Sequence, residues 1–276
     1  MLTAIGELRK ARRGLAEPVG LVPTMGALHA GHLALVRAAC ERCKSVVVSI
    51  FVNPLQFGPQ EDFARYPRRL AHDRELLSSA GVSAIFAPSV EEMYAQPPLV
   101  TVDPGSIGEH LEGERRPGHF RGVATVVLKL LQLVRPHYAF FGQKDAQQLA
   151  VVQRMVSDLN CDTEIVSCPT VREPDGLALS SRNAYLSADE RRAAPRLFQT
   201  LRAVAERLTA GRTDVPALLA ELTPELSPLR PDYLAVVRPE EFLPLAAAPP
   251  GTALLAVGAA FAGKTRLIDN IAVKTP

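Results

Sequence analysis

The sequence predicts an α/β protein in which a doubly wound parallel sheet is followed by a smaller α+β domain. Continuous apolar segments rich in β-branched residues, such as residues 45–52, are typical of strands buried on both faces of a parallel sheet. Helix-like segments alternate with these strands over the first part of the chain, which is the pattern of βαβ units. After about Arg172 the alternation stops, and strand-like segments follow one another.

The first domain is predicted over residues 1–172. Its strands are expected at residues 19–22, 45–52, 84–87, 138–141 and 163–167, which are short and apolar. Its helices are expected at residues 33–39, 68–80, 123–134 and 146–159, and Pro136 ends the third of them. In the helix at residues 68–80, the side chains expected to face the core are Leu70, Leu76, Leu77 and Ala80.

The second domain is predicted over residues 173–276. Ser187 and Glu190 have the spacing of a capping box, which predicts the start of a long helix that ends near Leu208. A further helix is expected at residues 213–222, and antiparallel strands are expected at residues 233–237, 252–261 and 265–273.

Composition excludes several classes of protein. The chain has 276 residues, 47% of them hydrophobic and 22% charged, with a formal net charge of +2. These values are ordinary for a soluble globular protein, and so balanced a charge argues against a general nucleic-acid binder. Its apolar runs are too short to span a bilayer, and residues 1–14 lack the apolar core of a signal peptide. We therefore expect a cytoplasmic protein that binds neither nucleic acid nor membranes.

The four cysteines are too few and too widely spaced for a disulfide scaffold. Cys40 and Cys43 have C-x-x-C spacing, but they lie at the end of a predicted helix, whereas a thioredoxin-like motif would open one. We expect them to be small buried side chains.

The most informative segment places His29, Gly31 and His32 where the first strand passes into the first helix. Backbone amides at a helix N-terminus are expected to be unpaired and to point outward, and the helix dipole adds partial positive charge. This arrangement favours a phosphate, which Gly31 allows to approach closely because it has no Cβ. The dipole disfavours protonated imidazole, so both histidines are expected to be neutral donors to a phosphate.

Two other interpretations of this histidine pair stay open. Histidines three residues apart also occur on one helix face without any chemical role. Zinc binding is the second alternative, but a zinc site needs a third protein ligand, and no nearby side chain has a usual spacing. We expect no metal held by the protein itself.

Polar clusters follow four of the predicted strands, at the carboxyl ends where parallel sheets bind ligands. They are residues 23–26, 52–58, 142–145 and 169–172, the last of which leads to residues 179–183. A separate segment near the end of the chain, residues 258–265, fits the P-loop pattern G-x-x-x-x-G-K-[ST]. A P-loop needs a following helix, whereas the residues after Thr265 resemble a strand, so we expect a hairpin turn at Ala262 and Gly263.

Four longer segments match the motifs of one enzyme family, in order along the chain. They are Pro23-Thr24-Met25-Gly26-Ala27-Leu28-His29-x-Gly31-His32, Phe51-Val52-Asn53-Pro54-x-Gln56-Phe57, Phe141-Gly142-x-Lys144-Asp145-x-Gln147-Gln148-Leu149 and Pro169-Thr170-Val171-Arg172-Glu173-x-Asp175-Gly176-Leu177-Ala178-x-Ser180-Ser181-Arg182-Asn183. Together they resemble the pantoate–β-alanine ligase (pantothenate synthetase) family over essentially the whole chain. The broader resemblance is to the HxGH nucleotidyltransferases and class I aminoacyl-tRNA synthetases.

The resemblance implies a Rossmann-like catalytic domain over residues 1–172, which binds ATP and pantoate, and a lid domain over residues 173–276. The implied reaction has two steps: pantoate and ATP give pantoyl adenylate and pyrophosphate, and β-alanine then gives pantothenate and AMP. The resemblance also implies Mg²⁺ carried by the ATP phosphates and a homodimer joined through the N-terminal domain. The alternatives are another HxGH nucleotidyltransferase, a nucleotide-binding regulator without chemistry, and a P-loop kinase.

The same resemblance implies roles for individual residues. The implied catalytic residues are His29, His32, Lys144, Ser180, Ser181 and Arg182. The implied ATP-binding residues are these six together with Pro23, Thr24, Met25, Gly26, Gly31, Gly142, Asp145, Val171 and Leu179. The implied pantoate or β-alanine ligands are Asn53, Gln56, Arg116 and Gln148, and His119 matches a segment near the active site.

The chain departs from the family pattern at three places, one of which spans two residues. Leu179 stands where the family often has methionine, a change of similar volume that packing tolerates. Gln143 stands where glutamate is common, which removes one negative charge near the phosphates. His72 and Asp73 stand where the family often has two acidic residues, which puts a water-mediated magnesium contact there in doubt.

Overall fold

The computed structural model describes residues 1–59 and 61–276, which form two compact units. The first unit comprises Met1–Gln143 and Val151–Pro169, and the second comprises Lys144–Ala150 and Thr170–Pro276. The segment that begins at Lys144 therefore belongs to the second unit, although it lies between two parts of the first along the chain.

The first unit contains a five-stranded parallel sheet. Its strands are β1 (Val19–Thr24), β2 (Ser45–Ile50), β3 (Ala84–Phe86), β4 (Tyr138–Gly142) and β5 (Glu164–Cys168). They lie in the order β3-β2-β1-β4-β5, and each adjacent pair is parallel. The order reverses between β1 and β4, and such a switch point is where doubly wound sheets bind ligands. The predicted sheet is confirmed, with every strand end within two residues of its predicted position.

Seven helices lie along this part of the described chain. They are α1 (Ile5–Arg12), α2 (Ala30–Arg42), α3 (Leu70–Ser79), α4 (Val90–Met93), α5 (Glu112–Arg115), α6 (His119–Val134) and α7 (Ala146–Asp158). α2 packs on β1, β2 and β4, and α6 packs on β1 and α1. α6 begins before the predicted Val123, because Gly118 turns the chain with a left-handed φ of 81° and the buried His119 and Phe120 extend the apolar face.

One predicted core position on α3 is wrong. Leu77 is fully buried as expected, but Leu70 is 38% exposed, and Asp73 is buried instead. Helical side chains point toward the helix N-terminus, so Leu70, the first residue of α3, projects beyond the helix. A buried carboxylate needs hydrogen-bond donors, and for Asp73 these are the backbone amides of Ala27 and Leu28.

The second unit contains an antiparallel sheet of β6 (Arg230–Val237), β7 (Ala253–Ala262) and β8 (Thr265–Lys274), in that order. Its helices are α8 (Ala188–Ala193), α9 (Arg196–Thr209) and α10 (Val215–Leu222). The predicted capping box of Ser187 and Glu190 is present at the start of α8. The single long helix predicted to follow is wrong, because Pro195 has no N–H to continue the hydrogen-bond ladder and the helix divides there.

The P-loop match at residues 258–265 is a β-hairpin. Ala262 pairs with Thr265 across a turn formed by Gly263 and Lys264, and β8 continues as a strand. No helix follows the lysine to present backbone amides to a nucleotide. The predicted hairpin is confirmed, but its turn lies at Gly263 and Lys264 rather than at the predicted Ala262 and Gly263.

The four cysteines are free thiols, and Cys43 and Cys168 are buried. Burial raises the pKa of all four thiols, namely Cys40, Cys43, Cys161 and Cys168. In the part of the chain that the structure describes, no helix is long and apolar enough to cross a membrane.

Candidate active site

The first unit builds a tight turn between β1 and α2. Thr24 ends β1, and its hydroxyl donates a 2.7 Å hydrogen bond to the carbonyl of Ser49 on β2. Gly26 and Ala27 then both have a left-handed φ, of 84° and 51°. A left-handed alanine is costly unless its surroundings hold it, so the turn needs an external clamp.

The clamp is the carboxylate of Asp73 on α3. One oxygen accepts from the Ala27 amide and the other accepts from the Leu28 amide, both at 2.9 Å. Asp73 is only 1% exposed, and these charge-assisted bonds compensate the burial of its charge. The contacts that the structure gives this carboxylate are therefore structural, since both of its oxygens hold the turn.

After this turn, His29 is the N-cap residue of α2 and His32 lies at the N3 position of the helix. The Gly31 amide donates to His29 Nδ1 at 3.1 Å, and the His29 amide donates to His32 Nδ1 at 3.3 Å. The prediction that these helix-end amides are unpaired is therefore wrong for His29 and Gly31. The two rings can take the place of solvent because the histidines stand at the N-cap and N3 positions, where side chains cap a helix.

This capping assigns a tautomer to both rings. A ring nitrogen that accepts an amide hydrogen carries no proton, so the neutral rings of His29 and His32 carry theirs on Nε2. The ring centroids are 4.2 Å apart. The pair is thus a set of two adjacent N–H donors, which is the protonation state that the sequence predicted for phosphate binding.

The residues after β2 form a buried amide cluster around Asn53 and Gln56. Asn53 Nδ2 donates to the Gln56 side-chain oxygen at 3.1 Å and to the Gly122 carbonyl at 3.0 Å. Asn53 Oδ1 accepts from the Tyr94 hydroxyl at 3.1 Å. Gln56 Nε2 is 3.2 Å from Met25 Sδ. Asn53 has no exposed surface, so it orients Gln56 rather than facing solvent itself.

Arg116 is held beside the same segment. Its guanidinium makes a bidentate ion pair with Glu61, at 2.6 and 2.8 Å, and also donates to the backbone carbonyl of Gln56. Both side chains are mostly buried. The guanidinium is therefore fixed in direction, and Glu61 balances its charge.

His119 is buried between Arg116 and the backbone carbonyl of Gln56. Its Nδ1 is 2.8 Å from that carbonyl oxygen, and its Nε2 is 3.1 Å from Arg116 Nη1. A carbonyl only accepts and a guanidinium only donates, so His119 is neutral with its proton on Nδ1. Burial, followed by the charge of Arg116, lowers the pKa of His119 to about 4.

Neutral His119 is expected to make stability depend on pH. It protonates near pH 6.5 in the unfolded chain but only near pH 4 in the folded one, so between these values the unfolded state binds more protons. The free energy of unfolding should fall as the pH is lowered through this range, by up to about 3 kcal/mol from this residue, and then level off. Urea unfolding at a series of pH values measures the slope.

The His119→Asn variant is the control for this slope. Asparagine keeps an N–H donor for the Gln56 carbonyl but has no titrating ring. Its unfolding free energy should change less between pH 6.5 and 4 than that of the parent protein. Equal slopes for the two proteins would contradict the assignment.

The second unit contributes a separate set of polar residues. Lys144 Nζ is 3.4 Å from Asp145, and the lysine side chain is 20% exposed against 47% for the aspartate. Gln148 follows on α7 and is half-buried. Lys144 is therefore more enclosed than a typical solvated surface lysine.

Residues 171–179 form a narrow loop that leads to Ser180. Arg172 bridges to Ala178, and the Leu179 amide donates to the Val171 carbonyl at 2.9 Å. Ser180 then caps a short 3₁₀ helix (Ser181–Tyr185) by accepting from the Arg182 amide at 3.2 Å. Ser180, Ser181 and Arg182 are all partly exposed at the start of this helix.

The sequence-predicted residues are thus divided between the units. In the first unit lie Pro23, Thr24, Met25, Gly26, His29, Gly31, His32, Asn53, Gln56, Arg116 and Gly142. In the second unit lie Lys144, Asp145, Gln148, Val171, Leu179, Ser180, Ser181 and Arg182. Sequence reasoning missed the clamp by Asp73, the ion pair of Glu61 and the contact from Tyr94, because none of these partners is near its target along the chain.

Comparisons with known proteins identify the family. The sequence model described as pantoate-beta-alanine ligase matches residues 1–272. The pantothenate synthetase of Stutzerimonas stutzeri is 54% identical over 278 aligned residues, covering 98% of this chain and 96% of that protein. The crystal structure of pantothenate synthetase from Thermus thermophilus has a TM-score of 0.91 at 50% identity, with 98% of each chain covered.

A third comparison is with a ligand complex. The pantoate-beta-alanine ligase of Francisella tularensis, solved with a compound named Beta-gamma ATP and with beta-alanine, is 34% identical, with a TM-score of 0.82. The alignment covers 98% of this chain and 97% of that one. The family and the enzyme class predicted from the motifs are confirmed, and the chain belongs to the pantoate–β-alanine ligase family.

Proposed function

We propose that this protein condenses pantoate with β-alanine to form pantothenate, through a pantoyl adenylate, with release of AMP and pyrophosphate. The observation that carries the proposal is the pair of Nε2–H donors at the start of α2, beside the switch point of the sheet. The ligand complex of the Francisella tularensis relative supports ATP and β-alanine as substrates.

The first step forms a bond between a carboxylate oxygen of pantoate and the α-phosphorus of ATP. The bond from that phosphorus to the leaving pyrophosphate breaks. Two anions must approach each other, so donors and cations that neutralise phosphate charge lower the barrier. His29 and His32 supply N–H donors for this purpose, and the turn from Pro23 to Gly26, together with Gly31, supplies backbone that a nucleotide can approach.

Lys144 and Arg182 supply the positive charge for the triphosphate, and Ser180 and Ser181 supply hydroxyl donors. Asp145 binds the ribose of ATP, while Gly142, Val171 and Leu179 line the nucleotide site. Magnesium enters as part of the MgATP substrate. Asp73 is assigned to the turn, since both of its oxygens accept backbone amides.

Pantoate is held by uncharged amides, with Gln56 and Gln148 as the direct ligands. A neutral amide orients a carboxylate or a hydroxyl by hydrogen bonds without forming an ion pair that would make the carboxylate less nucleophilic. Asn53, predicted as a ligand, is better assigned as the residue that orients Gln56, because it is fully buried and bonded on both sides. Arg116 borders the pantoate or β-alanine site, where Glu61 balances its charge and its guanidinium holds the backbone carbonyl of Gln56.

In the second step the amine nitrogen of β-alanine attacks the acyl carbon of the adenylate. The carbon–oxygen bond to AMP breaks, and the nitrogen loses a proton as the amide of pantothenate forms. In this scheme residues 1–172 are the catalytic domain, residues 173–276 are a lid, and the enzyme works in the cytoplasm.

The proposal includes a homodimer joined through the N-terminal domain. Leu99 is 100% exposed and Val100 is 85% exposed, an unusual pair of neighbouring apolar side chains for a monomer surface. A second copy of the chain would remove them from water. Sedimentation equilibrium should give twice the chain mass of 29.8 kDa, and a monomer at micromolar concentration would contradict this part.

A product assay tests the chemistry. The protein is mixed with MgATP, pantoate and β-alanine, and pyrophosphate, AMP and pantothenate are followed by mass spectrometry with each substrate omitted in turn. We expect pantothenate and AMP only in the complete mixture, and pantoate-dependent exchange of labelled pyrophosphate into ATP without β-alanine. Pyrophosphate release without pantoate would favour another nucleotidyltransferase, and ATP binding without turnover would favour a regulator.

A further inference from the structure

The geometry points to Asp269 and Asn270, neighbouring residues of β8, as positioning residues that fix the loop leading to Ser180 and the main chain at Lys144. This inference rests on the proposed function, because it concerns how the second unit prepares its triphosphate-binding groups. Neither residue belongs to the four matched segments described above.

Asp269 anchors the loop through Arg172. The two side chains form a bidentate ion pair, with Nη1 to Oδ2 at 2.6 Å and Nη2 to Oδ1 at 2.9 Å. The Asp269 side chain is only 4% exposed. A planar guanidinium matched to both carboxylate oxygens fixes direction as well as distance, so the pair holds Arg172 in one orientation.

Arg172 in turn shapes the loop. The same guanidinium donates to the Gly176 carbonyl at 3.0 Å and lies 4.2 Å from the ring centre of Phe198. The backbone of the loop is closed by the bridge from Arg172 to Ala178 and by the bond from the Leu179 amide to Val171. Leu179 is followed directly by Ser180, so the ion pair of Arg172 with Asp269 also fixes the start of the segment that carries Ser180, Ser181 and Arg182.

Asn270 holds the second segment. Its Nδ2 donates to the backbone carbonyl of Lys144 at 3.1 Å, and its own amide donates to Asp269 Oδ1 at 2.8 Å. Asn270 is 8% exposed. Fixing the Lys144 carbonyl limits where the lysine chain can start, and therefore which positions its ammonium can reach.

β8 is a suitable support for both segments. It pairs with β7 along its whole length, with Asp269 opposite Gly258 and Asn270 opposite Val257. Side chains of successive strand residues point to opposite faces, so two adjacent positions on one rigid strand can hold two different segments. The anchor at Asp269 therefore lies 97 positions along the chain from Arg172, in the loop that it positions.

The alternative is an ion pair that only stabilises the fold, and the chain offers a matched control. Asp232 on β6 and Arg266 on β8 form a second largely buried pair, with Arg266 Nε and Nη2 at 2.9 and 2.8 Å from Asp232 Oδ2. Neutralising either aspartate removes the carboxylate partner of a largely buried guanidinium and should lower stability to a similar extent. Only the change at Asp269 should disturb the loop.

The experiment compares Asp269→Asn, Asn270→Ala and Asp232→Asn with the parent protein. We expect Asp269→Asn to lower kcat for pantoate-dependent pyrophosphate release by about tenfold or more, since small misplacements of binding groups are costly. Asn270→Ala should have a smaller effect of the same kind. Asp232→Asn should leave kcat within about twofold, since its ion pair is with Arg266, which is not one of the positioned groups. Asp269→Glu, which keeps the charge, should recover part of the loss.

Hydrogen exchange gives a readout that does not require turnover. The Leu179 amide should exchange faster in Asp269→Asn than in Asp232→Asn, when both are compared at equal global stability. Equal exchange in the two variants, or equal kcat, would overturn the inference. If the parent protein itself releases no pantoate-dependent pyrophosphate, the proposed function fails, while the exchange comparison still decides whether Asp269 fixes the loop.

Discussion

Alanine in place of Lys144 is expected to reduce the rate of pantoate-dependent pyrophosphate release by about 10²–10³-fold, the scale of losing one major donor to the transition state. Lys144 is largely enclosed, and its main chain is held by Asn270. A compact ammonium in such surroundings interacts more strongly with phosphate charge than one in open water. The loss should appear mainly in kcat, because the charge on the phosphates is redistributed as the bond to pyrophosphate breaks.

The matched control is Lys264→Ala. Lys264 lies exposed in the hairpin turn between β7 and β8, although it occupies the lysine position of the P-loop pattern. Its removal should leave pyrophosphate release unchanged. The opposite result, with Lys264 essential and Lys144 dispensable, would contradict the proposed site and favour a P-loop kinase.

The second large effect is expected at His29, where two roles can be separated. His29 caps α2 through Nδ1 and offers its Nε2–H as a donor. Asparagine is a favoured N-cap residue, and its side-chain oxygen can accept from the Gly31 amide in place of Nδ1. His29→Asn should therefore keep the helix cap and lose the donor, which predicts a fall in kcat of about 10²–10³-fold at nearly unchanged stability.

His29→Ala completes the comparison. It removes both the cap and the donor, so it should lose the same activity and in addition about 1 kcal/mol of unfolding free energy. Urea unfolding and single-turnover pyrophosphate release on the two variants measure the two roles independently. Substantial activity in His29→Asn would mean that the histidine serves α2 and not the phosphate.

Much of the fold could be predicted from local patterns. The continuous apolar segment of β2 and the alternation of strands and helices predict a parallel sheet, because burial on both faces requires that pattern. The division of the helix at Pro195 was equally visible in the sequence, since proline cannot donate the helical hydrogen bond. The capping box at Ser187 indicates only where a helix starts, whereas Pro195 indicates where that helix is interrupted.

The site was predictable where it depends on neighbours along the chain. The position of His29 and His32 at a helix start follows from the strand-to-helix pattern. The contacts that fix the site could not be predicted, because they join residues that are distant along the chain. Asp73 accepts from an amide 45 positions away, and Asp269 pairs with Arg172, which is 97 positions away. Such contacts are set by how the elements pack, and a single sequence carries no periodic signal for them.

The four cysteines have a practical consequence for spectroscopy. Thiol reagents attack the thiolate, and burial raises the pKa of every native thiol, so little thiolate is present at neutral pH. A cysteine introduced at a solvent-exposed position would react with a maleimide or a nitroxide reagent before the buried Cys43 and Cys168. Pairs of such labels, one in each compact unit, could therefore report distance distributions during turnover once the partly exposed Cys40 and Cys161 are replaced.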